Sequence, residues 1–409
     1  MKKLTCILTT VCVLGIVSAK AQIQDFKYRR SSLAMILIDA NGFENKDIIL
    51  NSWNNYPFPD KYNKHDISVK TITLGSGEDT LDTKAIVSLV QGKTDIKEEI
   101  EKAIKEQQVA KQLVATWFNR SADGKFDTKL IEERGFYNAS ELDVSIAQQQ
   151  SKGIGSLADA GEELINNTFV TFTQFTFFKN EIVAAVIRDI ALIAAEKIPN
   201  AIGQIAAKKA LEIAYNKTKD GYSLFSKTWL YKLTWNDSIA TVFYEELWDN
   251  PAAFDSSDIF KLELVGSQKN TSVILFAGDK TKEQIIDKVE VRNIDNVFAE
   301  LQKDHDVFKP KVPVLTVSPL TAKIGMKEGL KGGEKFEVLE ITQDPNTGRT
   351  KYVSVGKTAV DKKLVWDNRY NAGEAPEVEV KDKEGNPITA TTFKEVKKAQ
   401  PGMLLKQVK

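Results

Sequence analysis

The stretch from Asn167 to Phe276 constrains the fold more than any other: β-pattern segments run through it, and one long apolar helical pattern interrupts them. Asn167 to Phe177 is rich in threonine and phenylalanine. Its alternation puts Phe169, Phe175 and Phe177 on one face, and Val170 and Phe172 on the other. Lys227 to Trp248 reads as two alternating runs around Asn236-Asp237, a pair that accepts the positive φ angles of a two-residue hairpin turn. That register sets Trp235 opposite Ser238, Leu233 opposite Ala240, Tyr231 opposite Val242 and Trp229 opposite Tyr244. A second hairpin is expected from Ile259 to Val265 and Thr271 to Phe276, joined through Gly266 to Asn270. Together these predict an antiparallel sheet of about five strands.

Residues 179–218 leave that sheet. Glu181 to Lys197 reads as a helix whose charges fall in one narrow polar stripe, the rest being Ile, Val, Leu and Ala. Pro199 and Asn200 break it, and Ala201 to Lys217 forms a second helix, with Gly203 and Ala207 spaced for close helix contact. Two readings stay open. The helices bury their apolar faces on each other and on the sheet, or the pair at 181–217 docks on a membrane surface or a partner helix. Central charges in each helix argue against a true membrane span.

The chain opens with Lys2 and Lys3, an apolar run from Leu4 to Val17, and the small residues Ala19 and Ala21 around Lys20. This is the pattern of a cleaved secretory leader over residues 1–21, and the expected address is periplasmic or outer-membrane associated. Val11 stands before Cys12 where a lipid-attachment site wants a small residue. Both cysteines, Cys6 and Cys12, lie in the leader, so the exported chain has neither disulfide nor thiolate chemistry. From residue 22 on, 53 basic residues face 56 acidic ones, so there is no net basic charge to drive binding to nucleic acid or anionic lipid.

Before the central region, Phe26 to Asp39 ends in a run suited to a buried strand, and Ile67 to Leu74 alternates like another. Trp53 to Tyr62 holds four aromatics and two prolines, reading as a loop pinned by its rings or as a stacking surface for carbohydrate or peptide. Asp95 to Phe118 reads as one helix with an apolar stripe from Ile96 to Trp117, and Thr94 as its cap. Asn119 to Asp127 resembles the start of a calcium loop, but Leu130 stands where a bidentate glutamate belongs, so an Asp-Gly turn reads better. Gly153 to Ala158 fits a loose dinucleotide fingerprint without the preceding strand, and Gly92-Lys93-Thr94 lacks the first phosphate-loop glycine, Val87 standing in its place. Lys282 to Phe308 looks mainly helical, and Lys309 to Pro313 marks a boundary.

Beyond that boundary, Lys335 to Ile341 and Arg349 to Val355 read as strands around the turn Asp344 to Gly348, and Lys383 to Pro387 is another turn. Ile324-Gly-Met-Lys-Glu-Gly-Leu-Lys-Gly-Gly-Glu-Lys-Phe-Glu-Val338 resembles the glycine-rich entry to a strand in the SH3-like C-terminal module of flagellar assembly protein T. The resemblance covers at most about a quarter of the chain and implies a periplasmic interaction module without catalysis. The chain as a whole is similar to exported Bacteroidota proteins, which implies an address and no activity.

The expected fold is α+β: helices packed on an antiparallel sheet with an inserted helical hairpin, followed by a small all-β, barrel-like C-terminal domain. The expected domains are 22–118 (α/β), 119–309 (central, carrying the insertion 179–218) and 310–409 (β). His65 and His305 lie on separate segments outside any triad motif. Of the adjacent acids, Glu132/Glu133, Glu162/Glu163 and Glu245/Glu246, the last pair would point to opposite faces of a strand. Trp366 to Tyr370 reads as a recognition patch or a corner ion pair. No catalytic, cofactor-binding or metal-binding residue is assigned, and no cofactor is expected. The reading is an exported envelope binding or scaffold protein with another envelope protein as partner. The alternatives are peripheral membrane contact through 181–217, and carbohydrate binding or turnover.

Overall fold

A computed structural model describes residues 28–39, 46–74, 95–137, 162–274, 281–346, 349–371 and 378–408, with positions 88, 373, 375 and 376. The leader and the segments Gly92 to Thr94 and Gly153 to Ala158 lie outside the described residues. The first elements are β1 (Ser32–Asp39), α1 (Lys46–Asn55), β2 (Asn63–Lys64), β3 (Thr71–Thr73), α2 (Lys97–Glu106), α3 (Val109–Trp117) and α4 (Lys129–Tyr137). Then come β4 (Thr168–Lys179), α5 (Asn180–Ala195), α6 (Ala201–Thr218), β5 (Tyr222–Leu233), α7 (Asp237–Val242), α8 (Pro251–Ser256), β6 (Leu262–Ile274) and α9 (Lys282–Asp304).

These strands form one sheet in the order β2-β1-β4-β5-β6, with β3 also on β1. The sheet is mixed rather than antiparallel, because β1 runs parallel to β2, β3 and β4. The run around Ile36 is apolar on both faces, which suits a strand covered on both sides. Ala34, Ile36 and Ile38 join the core under α2 and α3; Leu33 and Leu37 join the one under α1 and α9. The predicted facing of β4 holds: Val170 and Phe172 lie in the first core, and Phe169, Phe175 and Phe177 in the second. The result is a three-layer α/β arrangement.

Both expected hairpins are replaced. Asn236 caps α7, its side chain accepting from Ile239 N at 3.0 Å, and Phe243–Leu247 continues as a π-helical turn. Ile239, Phe243 and Leu247 are four residues apart, and the helix delivers Phe243 and Leu247 into an aromatic cluster with Phe118, Trp235 and Phe254. β5 pairs with β4 and β6 instead. Gly266 to Asn270 does not turn: β6 runs straight through it, with a bulge beside Gly266, because long β5 offers backbone partners along its whole length. A Cβ on Gly266 would overlap the His305 ring, which explains the glycine. The predicted helix at 95–118 is two helices, broken at Gln108 (φ 51°), while Ile100, Ile104, Val109, Leu113 and Trp117 are buried as expected.

The C-terminal strands are β7 (Lys311–Val317), β8 (Leu320–Ala322), β9 (Lys335–Gln343), β10 (Thr350–Ala359), β11 (Thr391–Phe393) and β12 (Leu404–Gln407). The β9–β10 hairpin is the predicted one. The sheet follows an open path, β10-β9-β12-β7-β8-β11, whose ends meet at a single bridge between Val360 and Phe393. No closed barrel forms among the described residues, in contrast to the expectation. Phe336, Val338, Leu405 and Phe393 fill the interior of this second sheet.

Candidate docking surface

The helical insertion is where sequence and surface disagree most with ordinary packing. β4 and β5 pair antiparallel up to Lys179 opposite Tyr222, and α5 and α6 continue from their ends. The root is tied firmly. Asn180 N–H donates to Gly221 O at 3.0 Å, Asn180 Nδ2 donates to Asp220 O at 2.9 Å, and Ser223 Oγ donates to Asn180 Oδ1 at 2.6 Å. Ile182 and Val183 pack on Phe178 and Phe225. At the far end Asn200 caps α6, accepting from Gly203 N. Gly203 sits tightly against that cap, which is the close approach its lack of a side chain serves.

Above the root, the seam between the helices is crossed by polar contacts. Tyr215 Oη donates to Glu181 at 3.4 Å, Arg188 lies over the Tyr215 ring and 3.9 Å from Glu212, and Lys208 meets Glu196 at 3.4 Å. Ile187 borders the groove between the helices, and the other exposed isoleucines stand outside it. Ile187, Ile190, Ile193, Ile202 and Ile205 are each more than half exposed, Ile202 to 82%, and α6 buries no residue at all. This reverses the usual amphipathic arrangement, in which a helix pair hides its large apolar side chains. A groove of about 300 Å³ between the helices and the end of β6 adds Val183, Leu211, Ala214 and Val273 to the same apolar region.

The exposed apolar area on the two helices is large. With Ile213, the six isoleucines expose on the order of 600 Å², the upper end for the largest patch on a monomer. Covering them would contribute on the order of 15 kcal/mol, before the rigid-body and ordering costs of association. Full burial within the helix pair is limited to Asn180 and Ala184 near the root and to Ala195 at the far end of α5.

The other residues singled out in the sequence are accounted for by the fold. Tyr62 is buried and donates to Phe308 O at 2.6 Å, and Tyr56 donates to Asp295 at 2.7 Å, so the ring-rich loop is pinned inward. In the calcium-like loop Ser121 to Lys125 closes a turn at Gly124 (φ 84°), Asp123 pairs with Lys125, and Asn119 donates to Asp127. His65 is a core residue: Nε2–H donates to Leu113 O at 2.9 Å, leaving Nδ1 to accept from Arg134 at 3.1 Å. Burial pulls its pKa down to about 3, so it is neutral. Glu132, Glu245 and Glu246 are exposed. Asp367 and Arg369 form the expected ion pair at 2.7 Å. Among the described residues no group of three or more acids or histidines is placed to hold a metal, and no helix is long and apolar enough to cross a membrane.

Two polar clusters escaped the sequence reading. Glu163 receives the Tyr352 hydroxyl and lies 3.3 Å from Lys311 and 3.8 Å from Arg30, joining the two sheets. On α9, Glu290 is fully buried with no hydrogen-bond partner among the described residues, and Asp295 leaves one carboxylate oxygen unpartnered. Burial, then nearby Asp287, pushes Glu290 well above the carboxylate range. Burial pushes Asp295 up to about 6, against the pull of Lys327 and the Tyr56 hydrogen bond. Neither cluster has a sequence signature, because each assembles residues far apart in the chain. Comparison with protein-family models and with curated proteins returns no significant match to this chain.

Proposed function

We propose that the chain is an exported, non-catalytic binding or scaffold protein of the cell envelope, an assembly factor that docks through the helical pair α5–α6. The observation that carries this reading is the set of exposed isoleucines on a helix pair that is crossed by ion pairs and hydrogen-bonded at its root to the β4–β5 pair. A rigid apolar projection is the anatomy of an interface core, and a sheet tied at its root supports it in one orientation. The weak C-terminal resemblance to a periplasmic interaction module points the same way.

The test uses the native host. Ile187, Ile190, Ile202 and Ile205 are replaced together by serine, all at exposed positions where folding is spared. The parent chain is expected in a large assembly or on washed envelope membranes, and the serine variant is expected as a free monomer with the same melting temperature. Turnover of a defined envelope polymer, abolished by one carboxylate substitution in a still-folded chain, would overturn the reading.

A further inference from the structure

We propose, resting on that docking reading, that the surface covered by α5 and α6 is a lipid bilayer, with the helix pair lying in the boundary between headgroups and acyl chains. Three observations select lipid over a protein groove or a second copy. Exposed isoleucines stand on both helices, Ile190 and Ile193 on one and Ile202, Ile205 and Ile213 on the other outside the groove between them, with Ile187 at its edge, while ion pairs cross the seam. A fluid apolar medium covers both sets at once, whereas one flat protein face covers a single stripe.

The charge pattern is the second observation. Residues 179–219 carry Arg188 and six lysines against four acids, while the rest of the chain from residue 22 on carries 46 basic and 52 acidic residues. The apolar element thus carries a net charge of +3, attractive to anionic headgroups; residues 310–409, with 18 basic and 13 acidic residues, are the other basic region of the chain. Third, lysines accompany the apolar stripe: Lys208 and Lys217 are exposed on α6, Lys209 stands between Ile205 and Ile213 on one face with a side chain long enough to reach headgroups, and Lys219 packs over Tyr215 at the root. Helices of 16 and 18 residues with charges at mid-length lie on a bilayer and do not cross it.

The experiment is flotation of the full exported chain, purified from its host with the leader's removal verified by mass. The vesicles are phosphatidylethanolamine–phosphatidylglycerol in one arm and phosphatidylcholine in the other. The parent chain is expected to float with both, more strongly with the anionic vesicles, and to lose that preference at high salt. Replacing Ile187, Ile190, Ile202 and Ile205 by serine is expected to lower the bound fraction at least tenfold, and replacing the same four by leucine to preserve it. Lys209→Glu with Lys217→Glu should weaken binding to anionic vesicles alone. A parent chain that stays at the bottom of the gradient with both vesicles, or a serine variant that floats as the parent does, overturns the inference. If it stays down yet self-associates or enters an envelope assembly through the same isoleucines, lipid is excluded and the docking reading survives. If the serine variant also leaves that assembly unchanged, both fall.

Discussion

The phenol of Tyr352 stands 2.8 Å from each carboxylate oxygen of Glu163, across 189 residues of sequence, and so bonds the C-terminal sheet to the segment that enters β4. Tyr28 adds its own hydroxyl at 2.6 Å from that of Tyr352, and Lys311 and Arg30 balance the carboxylate. We expect Tyr352→Phe to destabilise the chain by about 1–2 kcal/mol and Glu163→Gln by about 3 kcal/mol, because the latter leaves two shielded cations without their anion. The double variant should lose less than the summed effect, by about 0.5–3 kcal/mol. Urea unfolding of the four proteins measures this; strict additivity would mean the contact carries no energy.

Asp295 predicts an unusual pH response. Its folded carboxyl titrates at about 6 against an ordinary 3.8, because burial outweighs Lys327 and Tyr56. The folded state therefore holds this proton more tightly than the unfolded chain. Stability is greatest below 3.8 and declines as pH rises from 3.8 to about 6. Asp295→Asn keeps an acceptor for Tyr56 and removes the titration. It should stabilise the protein at pH 8 by on the order of 3 kcal/mol, and leave it unchanged near pH 3.5. Thermal melts of both proteins across that range decide it; an equal gain at both ends would rule out the linkage.

His65 predicts the opposite slope. Its pKa falls from 6.5 to about 3, so the unfolded chain takes up the proton first. Stability is full above pH 6.5 and is lost as pH falls toward 3, by on the order of 4–5 kcal/mol in total. In an NMR titration its imidazole should stay neutral, protonated on Nε2, from pH 8 to 5. A midpoint near 6.5 would show a ring open to water.

Asp237 separates the helix from the hairpin first read there. In a two-residue turn, Asp237→Gly would supply the favoured Asn-Gly pair and stabilise the chain. At the first position of α7, glycine instead costs a few tenths of a kcal/mol in helix propensity, and the ion pair with Arg349 at 2.8 Å is lost with it. Denaturant midpoints distinguish the signs.

What the chain declares locally survives folding. The alternation of β4, the helices at 181–217 and 282–304, and the β9–β10 hairpin were readable because periods of two and 3.6 residues and turn chemistry act over a few residues. The isoleucine-rich helices were readable too, but not their outward facing: the sequence shows a stripe and does not say what lies against it. The segment 237–247 satisfies both periods, Ile239, Phe243 and Leu247 serving a helix as well as alternation serves a strand, and only the pocket formed by Phe118, Trp235 and Phe254 chooses. The same holds for β1, whose parallel place beside β4 depends on a partner 136 residues away, and for Gly266 to Asn270, straightened by β5. Glu163 with Tyr352 and Asp295 with Tyr56 belong to that second class. Local torsional preference and side-chain period are properties of the chain alone. Burial, pairing and the titration of an enclosed carboxyl are properties of neighbours, which exist only once distant segments have met.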